Sequence, residues 1–175
     1  MSPERTALAK AAWVLALLAA SGLTARAAEP APLPPASTVV CSDDAGWDDP
    51  SPPFHVFGNT WYVGTCGVTA LLVTSPQGHV LLDGGTAKGA ALIEANIRSA
   101  GFRVEDVRYI VGSHEHFDHA GGIAALQKSS GAKVVAREPA AVVLERGRSD
   151  RGDPQFGQLE EMQRVPGVQI GRAHV

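Results

Sequence analysis

The stretch VRYIVGSHEHFDHAGGIAALQKS (107–129) runs from an apolar strand into a helix. Between the two it places three histidines and two acids within the six positions 114–119. A loop that follows a strand directly is where α/β folds build their sites. His114 and His116 are one residue apart, so a tight loop lets both imidazoles converge. Asp118 and His119 follow at the mouth of the next helix. Imidazole and carboxylate are the donors that suit zinc, and a catalytic zinc keeps one position open for water. Four donors in one loop exceed what a single open site takes. The spacing therefore favours two adjacent sites, His114 with His116 and Asp118 with His119. Glu115 and Phe117 alternate away. A hydrated polar loop is the plainer alternative, but half of the chain's six histidines gather here.

Outward from this loop, the segments on the N-terminal side read as a β-meander. HVFGN and TWYVGT form a hairpin about Gly58-Asn59, GVTALLVTS is a strand, PQGH a turn, and VLLDGG a strand ending at Asp83. AKGAALIEANIRSAG changes period, with Ala90, Ile93, Ile97 and Ala100 at helical spacing and Gly101 at the stop. VRYIVGS is expected to be a buried strand. On the C-terminal side come a helix closed by Gly131, a strand KVVA, and a helix with Pro139 in its first turn and Gly147 after it. Residues 148–169 read as loop-rich. The order is meander, helix, strand, metal loop, helix, strand, helix, a mixed α/β fold with helices on at least one face of the sheet.

The ends of the 175-residue chain are different in character. Residues 1–28 carry Arg5 and Lys10, an apolar run from Ala11 to about Leu23, and an Ala25-Arg26-Ala27 cleavage pattern. This is the form of a signal peptide for export to the periplasm. The run is short for a membrane span, which needs about 20 residues. Cleavage removes Arg5, Lys10, Arg26 and Glu4 and leaves 12 basic and 17 acidic residues, a net charge of −5. With no basic run, a nucleic-acid partner is not expected, and after cleavage neither is membrane attachment. Residues 29–54 form an irregular Pro-rich arm, expected to be pinned by Trp47 and Phe54. Two cysteines remain, Cys41 and Cys66. Export and an even count favour a disulfide over two buried thiols.

SHEHFDHAGG carries the H-x-H-x-D-H signature of the metallo-β-lactamase fold. Three longer segments resemble the third subclass of true metallo-β-lactamases, and within it the exported AIM type: PFHVFGNTWYVGTCGVTALLVTSPQGHVLLDGG, NIRSAGFRVEDVRYIVGSHEHFDHAGGIAALQKSSGAKVVA and DRGDPQF. The resemblance runs from about Cys41 to Phe156. It implies the N-terminal half of an αββα sandwich over residues 55–169 and two zinc ions. His114 and His116 match ligands of the first zinc, and Asp118 and His119 match ligands of the second, with Asp118 part of the catalytic centre. It also implies that Asp83 supports the metal loop without binding metal, that Gln155 borders the substrate groove, and that Cys41 bridges Cys66. The family reaction is hydrolysis of the β-lactam amide, the basis of antibiotic resistance. Zinc polarises the carbonyl and lowers the pKa of bound water. No protein nucleophile is then required, and Ser113 lacks a G-x-S-x-G turn.

The family also takes one further histidine per zinc from a second half. The only later histidine is His174, in the terminal hexapeptide IGRAHV (170–175). Those six residues are the translation of ATC GGA AGA GCA CAC GTC, a run found in a common sequencing adapter. Residues 170–175 are therefore expected to be foreign, and the chain to be an inactive, truncated part of an exported zinc β-lactamase with a small-molecule substrate, monomeric in the absence of contrary signals. Another hydrolase on the same fold, a lactonase or thioesterase, is the competing reading. His55 and His79, beside strand turns, are expected to be structural.

Overall fold

The computed structural model describes residues 41–157 and 162–171. The proposed signal peptide, its cleavage site, residues 29–40 of the arm and His174 lie outside the described residues.

Turn residues cut the N-terminal apolar runs into short strands. These are β1 (Phe54–Phe57), β2 (Thr60–Tyr62), β3 (Leu71–Val73) and β4 (His79–Leu82). They pair antiparallel in chain order, with Phe57 opposite Thr60 across the Gly58-Asn59 hairpin. The strand expected over GVTALLVTS is shorter than its apolar run. Thr65 Oγ1 accepts the backbone N–H of Val68 at 3.1 Å, which holds Gly67–Thr69 in a loop instead. Beyond β4 the chain crosses over three times. Helix α1 (Gly89–Ser99) leads to β5 (Val107–Val111), α2 (Phe117–Ala120) and α3 (Ile123–Ser130) to β6 (Lys133–Ala136), and α4 (Glu138–Arg146) to β7 (Gln169–Ile170). The three crossovers make β4 through β7 parallel neighbours, in a mixed sheet of seven described strands ordered β1 to β7. This α/β arrangement is the one read from the sequence, except that β7 occupies the end of the segment expected to be loop. Ile170, expected to be foreign, is paired with Ala136 there.

The core lies between one face of the sheet and the helices. Trp61, Leu72, Leu81, Ile110 and Val134 are successive register partners across five strands. All but Trp61 are completely buried, against Ile93 and Ile97 of α1, Ile123 and Leu126 of α3 and Leu144 of α4. The i, i+3, i+4 spacing in α1 sets Ala90, Ile93 and Ile97 on that face. Met162 and Val165, from the stretch read as loop, also enter the core. The opposite face of the sheet carries Tyr62, Leu71, Leu82, Val111 and Val135 in one row and Val73, Val80 and Tyr109 in the next. None of these eight is buried, and Tyr109 is 42% exposed. The expectation that β5 is buried throughout therefore fails. Helices cover one face of the sheet, so Ile110 is enclosed and Tyr109 is not.

The arm is pinned differently from the expectation. Phe54 does stack on Tyr62, with ring centroids 4.8 Å apart, but the Trp47 side chain is 43% exposed. The Trp47 carbonyl, not its ring, makes the tie, accepting Thr65 Oγ1 at 2.6 Å. Cys66 N–H donates to the Asp49 carbonyl at 2.8 Å, and Asp48 bonds Thr86. The Cys41–Cys66 disulfide is formed, as expected.

Candidate metal centre

Two glycine-containing turns, one after β4 and one after α2, lock the loop in place. Asp83 N–H donates to the Val111 carbonyl at 2.9 Å, Gly84 N–H to His119 at 2.8 Å, and Gly122 N–H to Gly85 at 2.9 Å. Side chains do not fit between these backbones. A Cβ on Gly84 would lie 2.7 Å from Ile123 Cγ1, and one on Gly122 would lie 2.2 Å from the Gly84 carbonyl oxygen. The Asp-Gly-Gly after β4 and the Ala-Gly-Gly after the metal loop are thus two halves of one close approach. The fit sets Asp83 at φ 63°, a left-handed conformation that Asp tolerates better than most residues.

In that conformation the buried Asp83 carboxylate faces the metal loop. Its Oδ1 accepts the Ser113 N–H at 2.7 Å, and its Oδ2 accepts the Ser113 hydroxyl at 2.8 Å. His119 Nδ1 stands 3.0 Å from the same Oδ2. A carboxylate only accepts, so His119 carries its proton on Nδ1 and leaves Nε2 a lone pair. Ser113, with its hydroxyl given to Asp83, accepts at 2.9 Å from His114 Nδ1, which leaves Nε2 of His114 free as well. The three imidazoles cluster. Ring centroids of His114 and His116 are 4.7 Å apart, and those of His114 and His119 are 4.3 Å apart. The loop thus brings together all four residues that the sequence singled out as zinc ligands, with Asp83 beneath them.

The donor set fits a cation. His119 Nε2, an acceptor in this tautomer, faces Asp118 Oδ2 at 3.4 Å. Asp118 Oδ1 is buried with no hydrogen-bond partner among the described residues. Facing acceptors and an orphaned buried carboxylate oxygen are costly unless a cation or a proton joins them. Among the described residues, however, no three histidine, cysteine, aspartate or glutamate side chains converge at metal-binding spacing.

A second loop reaches the cluster from the end of α4. Asp153, 9% exposed at its side chain, brings Oδ1 to 3.4 Å from His116 Nε2. The same oxygen accepts the Gln155 N–H at 2.7 Å. Gln155 therefore lies beside the metal loop, and its Oε1 is buried with no partner among the described residues. His55 and His79 are engaged elsewhere. His55 Nε2 lies 2.8 Å from the Gly58 carbonyl, and His79 Nδ1 accepts the Ser75 N–H at 3.2 Å. Sequence reasoning gave no role to Ser113 or Asp153. Ser113 adjoins the motif and Asp153 falls inside DRGDPQF, but only the folded geometry shows what either touches.

Comparison with known proteins follows the same lines. The chain is similar to MEM-A1, a subclass B3 metallo-β-lactamase isolated from a soil metagenome library. The match is 50% identical and covers 73% of this chain and 48% of that one, with a TM-score of 0.71. It is similar to the metallo-β-lactamase MIM-1 from Novosphingobium pentaromativorans, at 53% identity over 71% of this chain and 46% of that one, with a TM-score of 0.69. A curated relative, a UPF0173 metal-dependent hydrolase of Anaeromyxobacter sp. (strain K), is 38% identical over 76 residues, 43% of this chain and 25% of the relative. The chain spans about half the length of the solved structures it matches. The model of the metallo-beta-lactamase superfamily matches residues 63–173, a span that holds the whole metal loop, Asp83 and the sheet from β3 onward. By that match, the chain belongs to the metallo-β-lactamase superfamily.

Proposed function

We propose that this chain is the N-terminal half of an exported, zinc-dependent hydrolase that opens the amide of β-lactams. We further propose that the 175-residue chain turns over none by itself. The observation that carries the substrate class is the 50–53% identity to solved metallo-β-lactamases across nearly three quarters of the chain. The bare metal motif is shared more widely than these enzymes. The long flanks on either side of it narrow the choice.

His114 and His116 would hold one zinc, and Asp118 and His119 the other. Zinc, when bound, supplies a Lewis acid for the amide carbonyl and makes water a competent nucleophile at neutral pH. The chain's own part is orientation. Asp83 and Ser113 accept the Nδ1 protons of two imidazoles and aim the rings, so that their Nε2 lone pairs turn toward the cluster. The half-buried Asp118 supplies carboxylate oxygens to the loop, and the helical layer behind β4 and β5 backs the loop. Gln155, on the loop from α4, would border the groove that receives the substrate. Catalytic zinc takes three protein ligands and structural zinc four. Two donors per ion fall short, which supports inactivity of the chain alone.

A second reading, a metal-dependent hydrolase of another substrate class such as a lactonase or thioesterase, is compatible with the curated relative, whose name states metal-dependent hydrolysis and no substrate. The test compares this chain in zinc with the same chain extended by its downstream coding sequence. Nitrocefin, a lactone and a thioester are the substrates. EDTA-sensitive nitrocefin hydrolysis by the extended protein, and none by the chain, is expected. Turnover of lactone or thioester without nitrocefin would transfer the proposal to the second reading. Robust turnover by a soluble monomer of the chain would overturn the claim of inactivity.

A further inference from the structure

Each of the three clustered imidazoles has at least one ring nitrogen facing an oxygen of the chain, and His119 has two. Asp83 takes His119, and Ser113, itself bonded to Asp83, takes His114. Both partners belong to the sheet ends that carry the metal loop. His116 is the exception. Nothing in its own loop faces its Nε2. The group that does so is the carboxylate of Asp153, at 3.4 Å, from a loop 37 residues further along the chain.

We propose that Asp153 is the positioning residue of His116. Its carboxylate accepts the Nε2 proton, fixes the Nδ1 lone-pair tautomer and turns that nitrogen toward the metal. The inference rests on the zinc-hydrolase reading above. A metal-ligating histidine commonly donates its second ring N–H to a carboxylate, which sets the tautomer and raises ligand basicity. Here the carboxylate and the ring nitrogen stand 3.4 Å apart, a contact that a small rotation of either side chain closes into that bond. Asp153 is nearly enclosed, with 9% of its side chain exposed, while His116 keeps 34%. The carboxylate is therefore directed inward to the imidazole and not out to water. Its loop is held at several points. Asp153 N–H donates to the Asp150 carbonyl at 3.0 Å, Phe156 N–H to the Asp153 carbonyl at 2.9 Å, and Arg146 at the end of α4 pairs with Asp150 at 3.2 Å.

The plainer role for Asp153 is to close its own turn through the Gln155 N–H at 2.7 Å. That role needs only a neutral acceptor, which Asn supplies. The same bond gives the positioning role a consequence. Gln155 and His116 share one carboxylate oxygen, so the loop beside the proposed groove and the metal ligand are held by the same atom.

The test reads the His116 ring directly in the full chain, metal-free and at alkaline pH, by nitrogen-15 and proton NMR. The expected wild-type signature is a single Nε2–H tautomer, with its ring proton shifted downfield and protected from exchange. In Asp153→Ala that proton exchanges freely and the second tautomer becomes populated, with the far-ultraviolet circular dichroism unchanged. Asp153→Asn keeps the turn, and it should still lose the downfield proton. A His116 signature identical in wild type, Asp153→Ala and Asp153→Asn would overturn the proposal. Zinc affinity, by competition with a chromophoric chelator, separates this failure from failure of the underlying reading. Asp153→Ala should weaken binding about 10–100-fold, and His116→Ala at least as much. Weakening by His116→Ala alone overturns the role of Asp153 only. If His116→Ala leaves zinc binding unaltered, the metal reading fails, and this inference with it.

Discussion

Asp83 is the residue on which most of the metal loop's order depends. It stands at φ 63° at the end of β4, and one carboxylate takes the Ser113 N–H, the Ser113 hydroxyl and His119 Nδ1. A hydrogen bond to a charged group contributes about 1.5–3 kcal/mol, and bonds sharing an acceptor do not add in full. Asp83→Ala should therefore cost about 2–4 kcal/mol by urea denaturation. Asp83→Asn, which tolerates the same φ and keeps an acceptor, should cost less. Equal stability of the Ala variant and wild type would mean that the loop holds its shape without this carboxylate. At the other end of the same strand, burial lowers the pKa of His79, against a weaker upward pull from Asp106. Phe102 packs edge-on to the ring at 5.3 Å. An unfolded histidine titrates near about 6.5. As the pH falls through that value the unfolded chain takes up the proton first. Stability present above it is then lost progressively down to the lower folded pKa. His79→Phe should reduce the loss seen between neutral and mildly acidic denaturation midpoints. A variant with the same pH dependence as wild type would rule His79 out as a contributor.

At the scale of elements, the arm depends on its tie to the loop between β2 and β3. The Cys41–Cys66 disulfide spans 25 residues of sequence. Closing a loop of that length stabilises by roughly 3 kcal/mol through lost freedom of the unfolded chain. Reduction should lower the denaturation free energy by about that amount and open the arm to protease ahead of the sheet. The polar ties from Thr65, Cys66 and Thr86 remain after reduction, so the sheet itself should stay folded. An unchanged midpoint in reductant would show that those ties suffice. The crossovers behave differently. Helices α1, α3 and α4 carry no disulfide, and only α1 has a side-chain bond at its first residue, the Gly89 N–H donating to Thr86 Oγ1 at 2.9 Å. They are held by the apolar layer around Ile93, Ile97, Ile123, Leu126 and Leu144, to which α1 adds Asn96 Nδ2, donating to the Val63 and Gly64 carbonyls at 3.1 and 2.8 Å.

For the molecule as a whole, the consequence lies on the uncovered side of the sheet. Leu71, Val73, Val80, Leu82, Tyr109, Val111 and Val135 share a face that no described element encloses. Contiguous apolar surface of this kind drives association. The purified chain should bind a hydrophobic dye such as ANS and sediment as species larger than a monomer. Charged substitution at Tyr109, the most exposed of the row, should reduce both effects. A monomer that binds no dye would mean that the face is closed in solution.

The family was legible in the sequence because metal chemistry is local. H-x-H-x-D-H needs only a strand before it and a helix after it to place four donors in one loop, and both neighbours have a periodicity that can be read. The disulfide was legible from the resemblance, and α1 from the spacing of Ala90, Ile93 and Ile97. Tertiary structure decided what depends on residues far apart in the chain. The role of Asp153 beside His116 requires the loop after α4 to return over the one after β5, and no local pattern encodes that return. The interlock of Gly84 with Gly122 arises only when two turns meet. The half-exposed side of β5 reflects which face the helices cover, since an apolar run reads the same whether one of its faces is enclosed or both. Side-chain chemistry and short spacings are properties of the chain itself, whereas burial and second partners are properties of what packs against it.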